Sequence, residues 1–154
     1  MAHLVRSDFP LNEMKIISIV LGILGKICTL IEDEFRKGGY LAFVDKKGLA
    51  FKTSVGSFLE EKEEKNRSFS QEKAERAFRT VMPSFETRDP DNEKWGGGIF
   101  AGEYGIGFSG LPELADEALA VWLAEELKLI SHDEAEEITS KSGSNIYYNL
   151  KYCP

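Results

Sequence analysis

The sequence predicts a single α+β domain built on an antiparallel sheet. Two pairs of short apolar runs are each joined by a turn, which predicts two β-hairpins, and amphipathic helical segments lie before, between and after them. Helices that separate hairpins favour an antiparallel sheet over a doubly wound parallel one. The 154 residues, 42% hydrophobic and 29% charged, have the size and composition of one globular domain, which we assign to residues 1–154.

The first element is an amphipathic helix predicted over residues 12–36. Its apolar residues recur every three or four positions, and polar residues occupy the other side. These apolar residues are Ile16, Val20, Ile23, Leu24, Ile27, Ile31 and Phe35. Gly38 and Gly39 follow directly and predict the end of the helix.

Charge and cysteine content limit the classes of partner and compartment. The net charge of −7, with no local concentration of lysine and arginine, argues against nucleic acid as a partner. Lys15 and Lys26 bracket the most apolar stretch, which is shorter than the roughly 20 residues of a membrane span, so we expect no membrane association. Cys28 and Cys153 are too few for a disulfide framework, so we expect reduced thiols and a cytoplasmic protein.

A hairpin and a second helix are predicted next. Residues 40–44 and 49–55 are rich in aromatic and β-branched side chains, and the turn at 45–48 has Asp first and Gly fourth. Residues 60–67 contain no apolar side chain and predict a mobile loop or a frayed helical turn. Ser70 is a suitable N-cap for a short helix that Pro83 ends.

The remaining elements follow a polar loop predicted over residues 83–94. Residues 95–100 and 104–109 predict a second hairpin, whose many glycines imply close backbone approach or bulges. Pro112 suits the first turn of a helix that runs to about Leu129. A capping box at residues 131–134 predicts another short helix, and alternating apolar residues in 145–152 predict a last strand.

The glycines of residues 105–110 match the dinucleotide-binding fingerprint letter for letter. That fingerprint needs its glycines in the turn after a buried strand, whereas these lie within a predicted strand. Three carboxylates also crowd the start of the following helix, where a pyrophosphate would bind. We therefore interpret these glycines as packing residues of a sheet strand.

Serine nucleophile and metal chemistry receive little support from the sequence. Residues 107–110 resemble a truncated nucleophile elbow around Ser109, but a serine nucleophile needs a base. The two histidines are His3, in a segment expected to be loose, and His132, expected to be solvated at a helix start. No two His or Cys residues share a helical face or short loop, so no metal ligand set is assigned, and a single axial haem ligand stays open.

Three stretches together resemble the haem-degrading, glycolate-utilisation (GlcG-like) domain family. They are the hairpin sequence at 41–49, the helix sequence Ser70-Gln71-Glu72-Lys73-Ala74-Glu75-Arg76-Ala77, and Gly97-Gly98 followed by residues 105–110 and Asp116-Glu117-Ala118. Their order covers roughly residues 13–128, which leaves 129–154 as an extension. The family's proline after the paired glycines is absent, and Arg76 replaces a threonine of its helix motif.

The resemblance implies a profilin-like fold with a five-stranded antiparallel sheet, homo-oligomeric assembly, and a haem, corrinoid or related ligand. The matched positions place a candidate ligand site at Lys73, Gly97, Gly98 and Ser109. Our leading hypothesis is a non-catalytic small-molecule binding or sensing domain. The alternative is a protein-interaction or assembly module without a ligand, and an enzyme ranks third.

Overall fold

The computed structural model describes residues 3–33 and 36–152. The five strands are Leu4–Val5 (β1), Lys37–Asp45 (β2), Gly48–Ser57 (β3), Gly98–Ala101 (β4) and Tyr104–Ser109 (β5). The five α-helices are Glu13–Ile31 (α1), Glu63–Thr80 (α2), Glu113–Glu126 (α3), His132–Ser142 (α4) and Ile146–Tyr152 (α5).

The strands form one antiparallel sheet in the order β1-β3-β2-β5-β4. The predicted α+β class with a five-stranded antiparallel sheet is therefore confirmed, as are both hairpins. The fifth strand is β1 at the N-terminal end, where a loose segment was expected. The strand predicted over 145–152 is wrong, because this segment is helix α5, whose Tyr147 and Leu150 are buried three residues apart on one helical face.

Helices cover both faces of the sheet. Helix α2 packs on one face, while α1 and α3 pack on the other, with α4 and α5 against α3. The main core lies between the sheet and the α1–α3 layer, where Leu41, Phe43, Ile106 and Phe108 are fully buried. Alternate residues of β5 thus face the large core, and the intervening glycines face α2.

The glycines of β5 let α2 lie directly on the sheet. A Cβ added at Gly105 would stand 1.9 Å from the carbonyl oxygen of Ala74, and one at Gly107 would stand 2.2 Å from that of Ser70. Both distances are far below van der Waals contact, so no side chain fits there. The interpretation of these glycines as packing residues is confirmed, and the phosphate-cradle alternative is wrong.

Helix α1 ends earlier than predicted. Asn12 caps its start by accepting a hydrogen bond from the Lys15 amide, and Glu32 ends it in the left-handed conformation at φ 53°. Gly38 and Gly39, which were expected to stop the helix, lie instead in β2, where a Cβ on Gly39 would meet the carbonyl oxygen of Ser109 at 2.1 Å. Phe35, expected on the apolar face of the helix, lies outside the described residues.

Helix α2 begins earlier than predicted. The acidic stretch forms a 3-10 turn at Glu60–Lys62 and then the first turns of α2. Of the two alternatives predicted for 60–67, the mobile loop is therefore wrong, and the helical turn is closer to the structure. Tertiary contacts hold it in place: the hydroxyl of Tyr40 donates a 2.8 Å hydrogen bond to Glu63. Ser70, expected to cap the helix, lies inside it and donates its hydroxyl to the carbonyl of Arg67.

Helix α1 is the one helix among the described residues that is long and apolar enough to cross a membrane by length and composition. Its most apolar 18-residue window has a mean hydropathy of 2.0, and 28% of that window is buried. Ile16, Val20, Ile23, Leu24 and Ile27 face the core. Much of the helix surface therefore stays uncovered by the rest of the chain.

Candidate functional site

A cleft of about 770 Å³ opens where the first turns of α2, the segment before β4 and the β5–α3 connection meet. Its walls are largely apolar and include the rings of Phe58, Phe69 and Trp95 together with Leu111 and Pro112. Volumes of this size are usual for sites that enclose a small organic ligand. We therefore take this cleft as the candidate functional site.

The floor of the cleft contains a buried ion pair between Lys73 of α2 and Asp116 of α3. Lys73 Nζ donates to Asp116 Oδ2 at 3.0 Å and to the carbonyl oxygen of Phe108 at 3.0 Å. The two residues are 2% and 1% exposed, yet both line the cleft. The other carboxylate oxygen, Oδ1, accepts a 2.9 Å hydrogen bond from the amide of Leu111. The pair thus links α2, the last residues of β5 and the start of α3.

Burial and charge have opposite effects on the pKa of Asp116 in this pair. Burial raises the pKa of Asp116 to about 6, although the charge and hydrogen bond of Lys73 and the amide of Leu111 oppose the shift. An ammonium has three N–H donors, and Lys73 uses two of them on Asp116 and Phe108. A polar atom of a ligand at the floor would therefore find a charged donor there.

The structure brings the four predicted site residues to this region in two different roles. Lys73 and Ser109 line the cleft. Gly97 and Gly98 lie beneath it: a Cβ on Gly97, whose φ is +116°, would stand 2.7 Å from the Cβ of Asp116, and one on Gly98 would stand 2.6 Å from the carbonyl oxygen of Lys73. Their role in the structure is to let the ion pair approach the sheet.

Charged side chains surround the opening of the cleft. Arg36 lies 3.8 Å from Asp33, and Glu113 is held by Arg88 at 3.1 Å and by the amide of Gly96 at 2.8 Å. The sequence analysis assigned residues 60–67 to a mobile loop or a frayed helical turn and did not identify their cations as site residues. Lys62 and Lys65 are exposed, line the cleft and form no ion pair with any residue of 3–33 or 36–152.

Arg76 fixes one wall of the cleft. Its buried guanidinium donates to the carbonyl oxygens of Ser84, at 2.9 Å, and of Thr87, at 2.7 Å, and also to that of Trp95. A bidentate contact with Glu72, at 2.9 and 3.1 Å, holds the guanidinium in place. One side chain thus orders the connection between α2 and β4, which the sequence predicted to be a simple surface loop.

A second polar cluster joins α3, α4 and α5. The imidazole Nδ1 of His132 lies 3.1 Å from the Tyr147 hydroxyl, and Nε2 lies 3.1 Å from Glu136 Oε1 and next to the Tyr152 hydroxyl. The Tyr147 hydroxyl donates to Glu125, and burial raises the pKa of Tyr147. None of these residues lines the cleft, so the cluster serves the packing of the C-terminal helices.

The remaining candidate ligands are scattered. His3 Nδ1 lies 2.9 Å from Thr53 Oγ1 at the β1 edge, and Cys28 is a free thiol on α1. Cys153 lies outside the described residues. Within those residues, no group of three or more His, Cys, Asp or Glu side chains is arranged to hold a metal ion.

One buried carboxylate remains outside the cleft. Glu117 is fully buried, and its Oε1 accepts a 2.5 Å hydrogen bond from the hydroxyl of Ser142 on α4. Its Oε2 has no hydrogen-bond partner among the described residues. Burial raises the pKa of Glu117 to about 7, with further increases from Glu113 and Glu86. A partly unsatisfied buried carboxylate is more stable in its protonated form.

Comparisons with known proteins give one structural similarity. No family model matches the chain, and no curated protein matches it. The chain is similar to the crystal structure of Klebsiella pneumoniae protein ORFY, described as family-model DUF336, at 15% sequence identity and a TM-score of 0.49. The match covers 83% of this chain and 99% of that one.

Proposed function

We propose that this chain is a small-molecule binding or sensing domain of the GlcG-like family, with its ligand in the cleft above Lys73 and Asp116. Membership of that family is part of the proposal and rests on the three sequence stretches that resemble it. The ligand classes implied by the resemblance are haem, corrinoids or related compounds. Binding without catalysis by the chain's own residues is the activity proposed.

The cleft is the observation that carries this proposal. It combines apolar walls with a charged, buried pair at its floor, and ligand sites commonly join a mainly apolar lining to a few fixed polar groups. The pair also carries a cost, because two ions are withdrawn from water, and stability alone gives little reason to keep them. A role in holding a polar group of a ligand accounts for both features.

The described residues that line the cleft offer no axial ligand for haem iron. Proteins hold haem iron with His, Cys, Met or Tyr, and none of the described residues that line the cleft is of these types. The lining donors are instead lysine, arginine, carboxylate, amide and hydroxyl groups. The chemistry of this donor set favours a ligand that is held by charge and hydrogen bonds.

The proposal is tested on protein purified from its native source and examined by native mass spectrometry. We expect a bound small molecule that is released on denaturation and is lost in Trp95→Ala, which removes a wall of the cleft. Tyr148→Ala is the matched control, because Tyr148 is 54% exposed and does not line the cleft. A bound molecule that survives Trp95→Ala would place the ligand elsewhere, and protein with no bound molecule that also binds none from a metabolite library would refute the proposal.

A second candidate function, assembly into a homo-oligomer, is favoured by the uncovered face of α1. Met14 and Leu21, which are 68% and 50% exposed, lie on this face. No atom of residues 3–33 or 36–152 lies within 4 Å of a Cβ added at Gly22 or Gly25, so the same face also offers room for a close neighbour. We infer that a second copy of the chain packs there.

The spacing of residues on this face is self-complementary. Consider an antiparallel pair of α1 helices with a two-fold axis between Leu21 and Gly22. Leu21 of one copy then lies opposite Gly22 of the other. The same symmetry sets Met14 opposite Thr29 and Ser18 opposite Gly25. The large side chains of Leu21 and Met14 thus each meet a smaller residue, and Ser18 meets Gly25, where both residues are small. An isologous interface requires this kind of self-matching surface.

Light scattering coupled to size-exclusion chromatography tests the assembly candidate. We expect a dimer that Leu21→Glu converts to a monomer, since two carboxylates would enter the apolar contact. Glu61→Gln, which also changes the charge by one unit and lies at an exposed site of the 3-10 turn, should leave the dimer intact. A monomeric wild-type protein, or a dimer that survives Leu21→Glu, would rule out this interface.

A further inference from the structure

The cleft contains unpaired cations although the molecule as a whole is acidic. The chain carries a net charge of −7, yet Lys62 and Lys65 project at the cleft without an ion-pair partner among the described residues. The nearby carboxylates are largely engaged: Asp33 lies against Arg36, and Glu113 accepts from Arg88 and Gly96. Glu93 is the remaining acidic residue of the lining, so among the described residues two unpaired cations face one unpaired carboxylate at the opening.

Aromatic side chains line the same cleft as these cations. Phe58, Phe69 and Trp95 present aromatic surface that is half-buried in the free protein. At the floor, Lys73 retains one N–H donor beyond the two used on Asp116 and Phe108. A ligand that satisfies all of these groups has an apolar or aromatic body and at least one anionic group.

The geometry points to a metal-free amphipathic anion as the ligand, a small organic molecule with an aromatic or apolar body and a carboxylate or phosphate group. This inference rests on the proposed function and narrows it to a ligand class. Its anionic group is held by Lys62 and Lys65 at the opening. The apolar body packs between the three aromatic rings.

A matched series of naphthalene compounds tests the ligand class by titration calorimetry at low ionic strength. The series is 2-naphthoate, 2-naphthyl phosphate and uncharged 2-naphthol, which share one aromatic body. We expect at least one anion to bind about 10-fold more tightly than 2-naphthol. The tighter of the two anions identifies the favoured group, and added salt should weaken its binding, as for any contact between exposed charges.

Charge removal at the opening gives the matched variants. In the double variant Lys62→Gln/Lys65→Gln we expect anion binding to weaken by about 3- to 30-fold, as two partly exposed ion pairs would give, while 2-naphthol binding stays unchanged. Lys15→Gln/Lys46→Gln removes the same charge from exposed sites outside the cleft and should leave both affinities unchanged. All four lysines lie at exposed positions, so folding is not at risk.

The outcomes separate this inference from the proposed function. Binding of 2-naphthol as tight as that of both anions, or equal losses in the two double variants, would overturn the anionic class while leaving a small-molecule cleft. An absorption shift of haem that is abolished by Trp95→Ala would likewise overturn the metal-free ligand but support the cleft. Absence of binding by all three naphthalene compounds would overturn the inference, and native mass spectrometry then decides the proposed function separately.

Discussion

Lys73 and Asp116 form a 3.0 Å ion pair that is almost completely buried, although both side chains line the cleft. The two residues come from different helices and are 43 positions apart in sequence. Gly97 makes their approach possible, since a Cβ there would overlap that of Asp116. The chain therefore combines a small-residue packing site with a charged floor.

Neutralising one member of the pair should be costly. In Asp116→Asn the amide oxygen can still accept from Leu111, but Lys73 loses its counter-charge while buried, so we expect a loss of about 3–5 kcal/mol in the free energy of unfolding. Urea denaturation followed by circular dichroism measures this loss. In Lys73→Met/Asp116→Asn no charge remains buried, so the double variant should be more stable than the sum of the two single changes predicts. Strict additivity would contradict a direct interaction.

The glycines of β5 give a prediction about packing. In Gly105→Ala the new methyl group would displace α2 from the sheet, because its ideal position is 1.9 Å from the Ala74 carbonyl oxygen. We expect a loss of at least about 2 kcal/mol in unfolding free energy. Gly25→Ala, made in the monomeric Leu21→Glu protein and with no described atom within 4 Å of its added Cβ, should instead gain about 0.5–1 kcal/mol. Similar effects of the two substitutions would show that α2 does not rest on the β5 backbone.

Glu117 predicts how stability depends on pH. Its pKa is raised by burial from 4.5 to about 7, so between these values the folded state holds a proton that the unfolded state releases. Stability should therefore fall as pH rises from 4.5 to 7, and the loss at higher pH should reach roughly 2–4 kcal/mol. Below pH 4.5 the group is protonated in both states and contributes no pH dependence.

The variant Glu117→Gln isolates this effect. It keeps the shape and the acceptor for Ser142 but cannot ionise, so its advantage over wild type should grow between pH 5 and pH 8. Glu137→Gln, at an exposed site on α4 that pairs with Lys141, is the control and should show no such growth. Denaturation curves at the two pH values measure the free energy of unfolding of each variant. A difference between wild type and Glu117→Gln that is the same at both pH values would count against a buried neutral carboxyl.

Arg76 should control the order of the wall that carries Trp95. In Arg76→Met the carbonyl oxygens of Ser84, Thr87 and Trp95 lose their shared donor, so we expect faster trypsin cleavage after Arg88. Limited proteolysis followed by mass spectrometry measures the rate. Arg79→Met, one turn later and exposed, should cleave at the wild-type rate. Equal cleavage in both variants would show that this wall is ordered by other contacts.

The sequence predicted the parts of the fold that depend on local pattern. Both hairpins, the capping box at Ser131 and the packing role of Gly105 follow from turn chemistry and spacing, and the structure confirms them. The C-terminal segment was mistaken for a strand because Ile146, Tyr148, Leu150 and Tyr152 alternate over too short a range to exclude a helix. Tyr147 is not one of these alternating residues, and its burial depends on packing against α3 and α4.

The candidate site was only partly predictable. Lys73 and Ser109 were found through resemblance, but the pairing of Lys73 with Asp116 depends on how two helices meet across the sheet. Lys62 and Lys65 were missed because their segment contains no apolar residue, and its helix is stabilised by tertiary contacts such as Tyr40 with Glu63. Such contacts leave no periodic signal in the sequence.

The two tryptophans test the central claim, that the cleft is the ligand site, most directly. Trp95 lines the cleft, whereas the Trp122 indole lies on α3, outside the cleft, and donates to Glu126 at 3.1 Å. Their indole N–H signals are separated in a nitrogen–proton NMR spectrum and assigned with Trp95→Phe. On titration with the more tightly bound of the two naphthalene anions, the Trp95 signal should shift in a saturable way while the Trp122 signal stays fixed. A saturable shift of Trp122 alone, with Trp95 unmoved, would contradict the account.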